Sequence, residues 1–400
     1  MRSGALVLVF LAGCSRTPDH PAPPAVPRTT DGVLARSNLE AMIGARERAL
    51  ARDPTWVASR AALVTLLTTR AATYGRIEDY DRATSLAEEG VRQSPRASEA
   101  WLARASARAA LHRFGPALED LDRALQLGAD ADAANALRAS VALARGNGAT
   151  ARAIARQRAG RQPDLGTLSA LGVVLAETGD AAGASIAFQR ALDGYQDTSA
   201  LAVAFVEFRQ GLLAETTGDF ARAGERYRAV LRRLPGHAQA ALHLASLELV
   251  VGTVAGARSA LDSLLPDATD PEIASVRAEV FRRSGDADQS TRWLAEARTG
   301  YLAALARHPQ AFADHAARYF LDHGEPAEAL RWAQLNLDNR PTPPAYDLAL
   351  TAAIRSEGPA RCALGRRALQ LPDRTPRLEA LITRALEGCD RQAASPSARL

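Results

Sequence analysis

Between residues 205 and 215, Phe205, Phe208, Leu212 and Glu215 follow one another at intervals of three and four, the spacing that puts side chains on one face of a helix. Leu242 and Leu249 extend the same apolar face in the next stretch. Runs of Val, Ile, Thr and Tyr of the kind that build strands are nearly absent, so the pattern predicts helices throughout. Turn and stop signals divide them. Gly179-Asp180, Gly218-Asp219 and Gly285-Asp286 each read as a left-handed glycine after one helix and a capping aspartate before the next. Pro95, Pro163, Pro235, Pro309 and Pro341 then end the second helix of each pair, because proline lacks the donor and restricts its predecessor.

These marks recur. Ala83, Ala117 and Ala151 are spaced by 34 residues, and Ala184, Ala223 and Ala257 continue the series with small slips. Phe188 and Tyr227 each follow their alanine by four. The expected units are nine helical hairpins at 55–95, 98–129, 132–163, 165–196, 204–235, 238–269, 272–309, 310–341 and 342–372. A helix near 37–52 precedes them, and one near 376–388 follows. With Leu171-Gly172, Ala184, Phe188 and Ala191 in one unit, and Gly211, Ala223, Tyr227 and Pro235 in another, the chain resembles the tetratricopeptide repeat (TPR) family. The resemblance covers about residues 55 to 372 and implies an all-α fold: a right-handed TPR-type α-solenoid in which stacked hairpins bury what no single hairpin can hide.

It also implies a concave groove, lined by the first helix of each hairpin, that receives a peptide or helix of another protein. Carried onto this chain, the lining set is Phe205, Phe208, Leu212, Glu215, Leu242 and Leu249, with Asp314, Arg318 and Asp322 as a charged counterpart further along. Phe205 and Phe208 have a second reading, as fillers of the irregular join at 197–203.

The amino terminus adds an address. Arg2 precedes an apolar stretch from Ala5 to Ala12, too short to span a bilayer and suited to an export signal. Leu11-Ala12-Gly13-Cys14 resembles the lipobox of bacterial lipoproteins, which implies cleavage after residue 13 and acylation of Cys14. In that family Ser15, rather than Asp, goes with the outer membrane. Residues 14–36 then form a tether, of which 16–30, with five prolines from Pro18 to Pro27, reach roughly 45 Å at about 3.1 Å per residue. The solenoid is expected over 37–375, a capping helix over 376–389 and a disordered tail over 390–400.

Composition narrows the partners. All 49 basic residues are Arg, against 45 acids, so the net charge of +4 points away from nucleic acid. The acid-free span 133–163 holds Arg138, Arg145, Arg152, Arg156, Arg158 and Arg161, either a solvated face or a patch for an acidic partner or anionic lipid. Export places Cys362 and Cys389 in an oxidising compartment, where a disulfide between the last hairpin and the terminal helix is expected, two buried thiols being the alternative.

Candidate chemistry is sparse. Gly146-Asn147-Gly148-Ala149-Thr150-Ala151 matches a dinucleotide-binding pattern but follows a helix and sits at a hairpin turn. His308, His315 and His323 lie close to Asp314 and Asp322, yet without the spacing of a helical zinc pair, and His308 suits a helix end. No cofactor is expected. The reading is a non-catalytic, lipid-anchored scaffold that binds other envelope proteins on the periplasmic side. The alternative is a periplasmic protein binding a metal or small ligand around 308–332, the most aromatic section of the chain.

Overall fold

The computed structural model describes residues 27–371 and 374–389, so Cys14, the signal segment and the tail lie outside the described residues. Among the described residues there are twenty helices and no strand. The first is α1 (Gly32–Arg52). Nine hairpins follow: α2 (Val57–Tyr74) with α3 (Ile77–Gln93), α4 (Ser98–Ala110) with α5 (Phe114–Gln126), α6 (Ala131–Ala144) with α7 (Gly148–Arg161), α8 (Leu165–Glu177) with α9 (Ala181–Asp193), and α10 (Ala200–Thr216) with α11 (Phe220–Arg233). The series continues with α12 (Ala238–Val251) and α13 (Val254–Asp262), α14 (Pro271–Arg283) and α15 (Ala287–Arg307), α16 (Pro309–Asp322) and α17 (Pro326–Asn339), and α18 (Pro343–Arg355) and α19 (Ala360–Ala368). The last helix is α20 (Pro376–Leu386).

The nine expected hairpins are all present, and their turns follow the chemistry read from the sequence. Gly179, Gly218 and Gly285 have φ of +84°, +81° and +80°. The aspartates after them cap the next helix, Asp180 accepting from Gly183 N at 2.8 Å and Asp219 from Arg222 N at 3.1 Å. The glycine-rich stretch at 146–151 is likewise a turn, with Asn147 accepting from Thr150 N. One boundary differs from expectation. Helix α1 begins at Gly32, not near 37, because Asp31 accepts hydrogen bonds from Val33 N and Leu34 N and so starts the helix within the expected tether.

Curvature follows from which helices approach. Between successive hairpins each second helix packs on the next first helix, as α3 on α4 and α17 on α18, and first helices also approach one another, as α2 with α4, α12 with α14 and α16 with α18, more closely than second helices do. First helices therefore line the inside of the bend. The bend is tight enough that the chain meets itself about five hairpins later. Gly32 lies against Arg233 and Pro235, and Gly75 O accepts from Thr269 N at 2.8 Å. His112 Nδ1 lies 3.2 Å from Gln310 O, and Gly146 packs on Pro341 O. Each contact sets the start of α1 or of a second helix against the loop that ends a hairpin further along, so these four rungs form one continuous seam.

The carboxyl end is sealed. Leu378, Ile382 and Ala385 of α20 are buried in the cluster that includes Leu350, Leu364 and Ala368. Cys362 and Cys389 are joined by a disulfide, their Cα atoms 5.8 Å apart. Arg361 Nη1 donates to Ala385 O at 2.7 Å and Glu387 O at 2.8 Å, satisfying carbonyls at the end of α20. No described helix is long and apolar enough to cross a membrane.

Candidate functional site on the inner face

Small residues let the first helices carry bulky neighbours. Gly172 on α8 lies against the ring of Phe188, and Gly211 on α10 against that of Tyr227, both rings being fully buried. Tyr227 is thereby aimed inward, where its hydroxyl donates to Glu215. Glu215 also lies 3.0 Å from Nδ1 of His243 on α12. Burial opposes the charged carboxylate, but the bonds from His243 and Tyr227 prevail and hold Glu215 below its ordinary range. Burial, with Glu215 behind it, raises the Tyr227 phenol, which stays a neutral donor.

A second carboxylate–imidazole pair repeats this on the next two units. His315 Nδ1 on α16 lies 3.1 Å from Glu272 at the start of α14, and its Nε2 lies 3.9 Å from Asp314. Burial works against the imidazolium, yet Asp314, Glu272 and Asp270 outweigh it and raise His315 to about 9. Burial, then Glu272, pushes the Asp270 carboxyl up. Arg340 Nη1 stands 3.5 Å from Asp314. The inner face of hairpins 5 to 8 thus carries a polar ladder of Glu215, His243, Glu272, His315 and Asp314.

Only part of the expected lining set is open. Phe208, Leu242 and Leu249 are buried, contrary to the expectation of an exposed apolar patch. The reason is the tight bend: their cluster includes Leu39 and Ile43 of α1 and Leu63, Leu67 and Tyr74 of α2, which lie over α10 to α14 across the seam. Phe208 fills space, touching the rings of Tyr227, His237 and His243 at centroid distances of 5.8, 5.4 and 5.5 Å. Phe205 remains 41% exposed, with the Arg209 guanidinium 5.2 Å from its ring centre. Leu212 and Glu215 are half-buried, Asp314 is half-buried, and Arg318 and Asp322 are exposed.

Arg209 was not singled out by spacing. It forms no ion pair among the described residues, its Nε is buried without a partner, and burial lowers its pKa. His243, Glu272 and Arg340 were also missed, since each belongs to the site only through a neighbour 26 to 43 residues away. The signal that could have found them is the inward face of each first helix, read one unit at a time.

The arginine span is partly neutralised. Arg138 pairs with Asp122 at 2.8 Å and Arg158 with Asp132 at 2.8 Å, both acids lying just outside the acid-free stretch. Arg152 donates to Thr178 O at 3.1 Å. Arg145, Arg156 and Arg161 are exposed. At 308–332 the histidines separate. His308 ends α15 and reaches Asp81 at 2.6 Å, and His323 stacks on Tyr319 at 4.5 Å. Among the described residues no three His, Cys, Asp or Glu side chains converge to hold a metal ion. A polar cleft of about 680 Å³ lies elsewhere, between Thr29–Gly32 and Arg226, Arg232 and Arg233.

Fold and inner face together define an all-helical scaffold of stacked TPR-like hairpins. A family model for the tetratricopeptide repeat matches residues 216–280, the stretch from the turn of hairpin 5 into α14. No curated protein matches the chain. Among solved structures, Pseudomonas aeruginosa pilF is similar at 19% identity and a TM-score of 0.39, over 53% of this chain and 92% of that one. A tetratricopeptide repeat protein from Parabacteroides merdae is similar at 16% identity and a TM-score of 0.40, over 63% and 97%. Yeast Tom70 is similar at 13% identity and a TM-score of 0.40, over 90% and 94%.

Proposed function

We propose that the chain is a non-catalytic interaction scaffold, lipid-anchored through Cys14 in the bacterial cell envelope and facing the periplasm, the outer membrane being favoured by Ser15. It holds a protein or peptide partner on the inner face of the superhelix. One observation carries this reading: Phe205 and Arg209 stand side by side on α10, the ring exposed and the guanidinium in no ion pair among the described residues, Glu177 acting on it only at longer range. A half-buried cation whose nearest acid is too far to bond it costs free energy that a carboxylate of a bound peptide would offset, and an exposed aromatic beside it supplies apolar contact. The ladder from Glu215 to Asp314 extends the surface with hydrogen-bonding groups that are already oriented.

The test is affinity capture from crosslinked cells, comparing the natural chain with Phe205→Ser and Arg209→Ala. Loss of a captured protein with an unchanged melting temperature is expected. Equal capture by the natural chain and both variants would overturn the docking reading. The anchor is tested separately, by replacing Cys14 with Ser and following the protein from the membrane fraction into the soluble one.

A further inference from the structure

The seam is not uniform along its length. At its first two rungs it is welded by apolar burial: α1 and α2 share one core cluster with α10, α12 and α14, and Ile77 of α3 is buried with Ala274, Ala297 and Tyr301. Past hairpin 1 this fades: Ala107 of α4 still belongs to the core that holds Ile273 and Val280 of α14. The clusters of hairpins 2 and 3, built on Ala105, Leu121 and Ala134 and on Ala151, Ala155 and Val174, contain no residue of hairpins 7 to 9 among the described residues. There the seam consists of polar contacts and of Gly146 resting on the Pro341 carbonyl.

His112 is at the centre of this polar half. At the corresponding turns of hairpins 1, 3, 4, 5, 7 and 8 the left-handed position is taken by glycine. Hairpin 9 puts Glu357 there at φ +54° and hairpin 2 puts His112 there at φ +55°, a conformation that glycine takes more easily than a residue with a side chain and that contacts can help to hold. At His112 such contacts come from across the seam. The ring nitrogen Nδ1 meets Gln310 O at 3.2 Å, and the His112 carbonyl accepts from Asn339 Nδ2 at 2.9 Å. Arg113 beside it reaches Arg307 O at 3.4 Å and His308 Nδ1 at 3.3 Å. The turn has given up the conformational ease of glycine, and the side chain it gained is used for contact with hairpins 7 and 8.

We propose that the polar half of the seam is a gate, latched by His112 and Asn339, through which hairpins 8 and 9 with α20 swing away from hairpins 2 and 3 while the apolar half stays closed as the hinge. Opening it uncovers the Glu272–His315–Asp314 end of the ladder, because Asn339, which holds the His112 carbonyl, adjoins Arg340, and Arg340 reaches Asp314. Polar contacts of this kind exchange for water at small net cost, whereas parting the buried apolar cluster would not. That the gate admits a peptide rests on the docking reading above; the opening itself does not.

The test needs no partner. Nitroxide-bearing amino acids are placed in the full chain at Ser140 and Gln370, across the polar half, and in a second sample at Ala45 and Asp262, across the apolar half; all four sites are exposed. Distances are compared between the natural seam and the pair His112→Gly with Asn339→Ala. Glycine suits φ +55°, so the latch is removed without straining the turn. The expected result is a broader Ser140–Gln370 distribution, longer by about 10 Å, roughly the spacing of packed helices, with Ala45–Asp262 unchanged. An unaltered Ser140–Gln370 distance would overturn the gate, and so would equal lengthening of both pairs. Failure of the capture experiment with this result intact would sink the docking reading alone.

Discussion

A methyl group placed on Gly211 would stand 2.5 Å from Cε1 of Tyr227. The ring cannot retreat, because it is fully buried and its hydroxyl is held by Glu215. Gly211→Ala is therefore expected to destabilise the protein by about 1–3 kcal/mol through overpacking, despite alanine's better helix propensity. The denaturant midpoint measures it, and an unchanged or raised midpoint would show that α10 and α11 can part at no cost.

Gly160, also inside a helix, supplies the opposite case. Nothing lies within 4 Å of a Cβ built there, and the residue is exposed. Gly160→Ala should raise stability by about 0.5–1 kcal/mol through helix propensity alone. The two substitutions made in parallel separate backbone preference from packing, and equal effects would contradict the close approach at Gly211.

His237 makes folding sensitive to acid. Its Nδ1 accepts from Ala240 N at 3.2 Å and caps α12, a role open only to the neutral ring. Burial lowers its pKa to about 4. The unfolded chain, with an ordinary histidine near 6.5, binds the proton first. Stability contributed by the neutral ring is complete above pH 6.5 and is lost as pH falls towards 4, by about 3 kcal/mol in total. His237→Asn keeps an acceptor at the cap and should flatten melting temperature across that window; a slope equal to that of the natural chain would exclude His237 as its source.

The repeat was legible because its signals are local and recur: glycine then aspartate at the turn, proline after the second helix, a small residue facing an aromatic. Each needs only residues a few tens of positions apart. The seam was not legible, since it joins Gly32 to Arg233 and His112 to Gln310 with different chemistry at every rung. That hidden closure is why Phe208, Leu242 and Leu249 were expected on an open face and are buried instead. It left one trace in the sequence, His112 standing where most other turns have glycine. The arginine span misled for a related reason, because Asp122 and Asp132 sit just beyond its edge and return to Arg138 and Arg158 through hairpin packing.

The Cys362–Cys389 bridge closes a loop of 27 residues between α19 and the end of α20. Its removal by Cys389→Ser should cost about 3 kcal/mol by the loop-closure argument. The loss is expected to be local first: amides of α20 exchange faster while those of α10 to α12 keep their protection. Uniform loss of protection along the chain would mean instead that α20 is a cap on which the whole solenoid depends.

Arg70 and Asp79 pin the first hairpin from inside. Nε and Nη2 of Arg70 donate to the two oxygens of Asp79 at 2.7 and 2.8 Å, and the side chains are only 6% and 3% exposed. Glu40 of α1 joins the pair from a more exposed position, so α1, α2 and α3 share one charge network. Removing Asp79 leaves the buried Arg70 with only the more exposed Glu40 as counter-ion, whereas removing both Arg70 and Asp79 takes away the desolvation penalty along with the attraction. Asp79→Ala is thus expected to cost about 3–5 kcal/mol, and Asp79→Leu combined with Arg70→Met much less than the sum of the single changes. Because α1 and α2 form the apolar half of the seam, the single variant should also lengthen the Ala45–Asp262 distance. If the double variant proved as unstable as the sum of its parts, the pair would be acting through shape and not through charge.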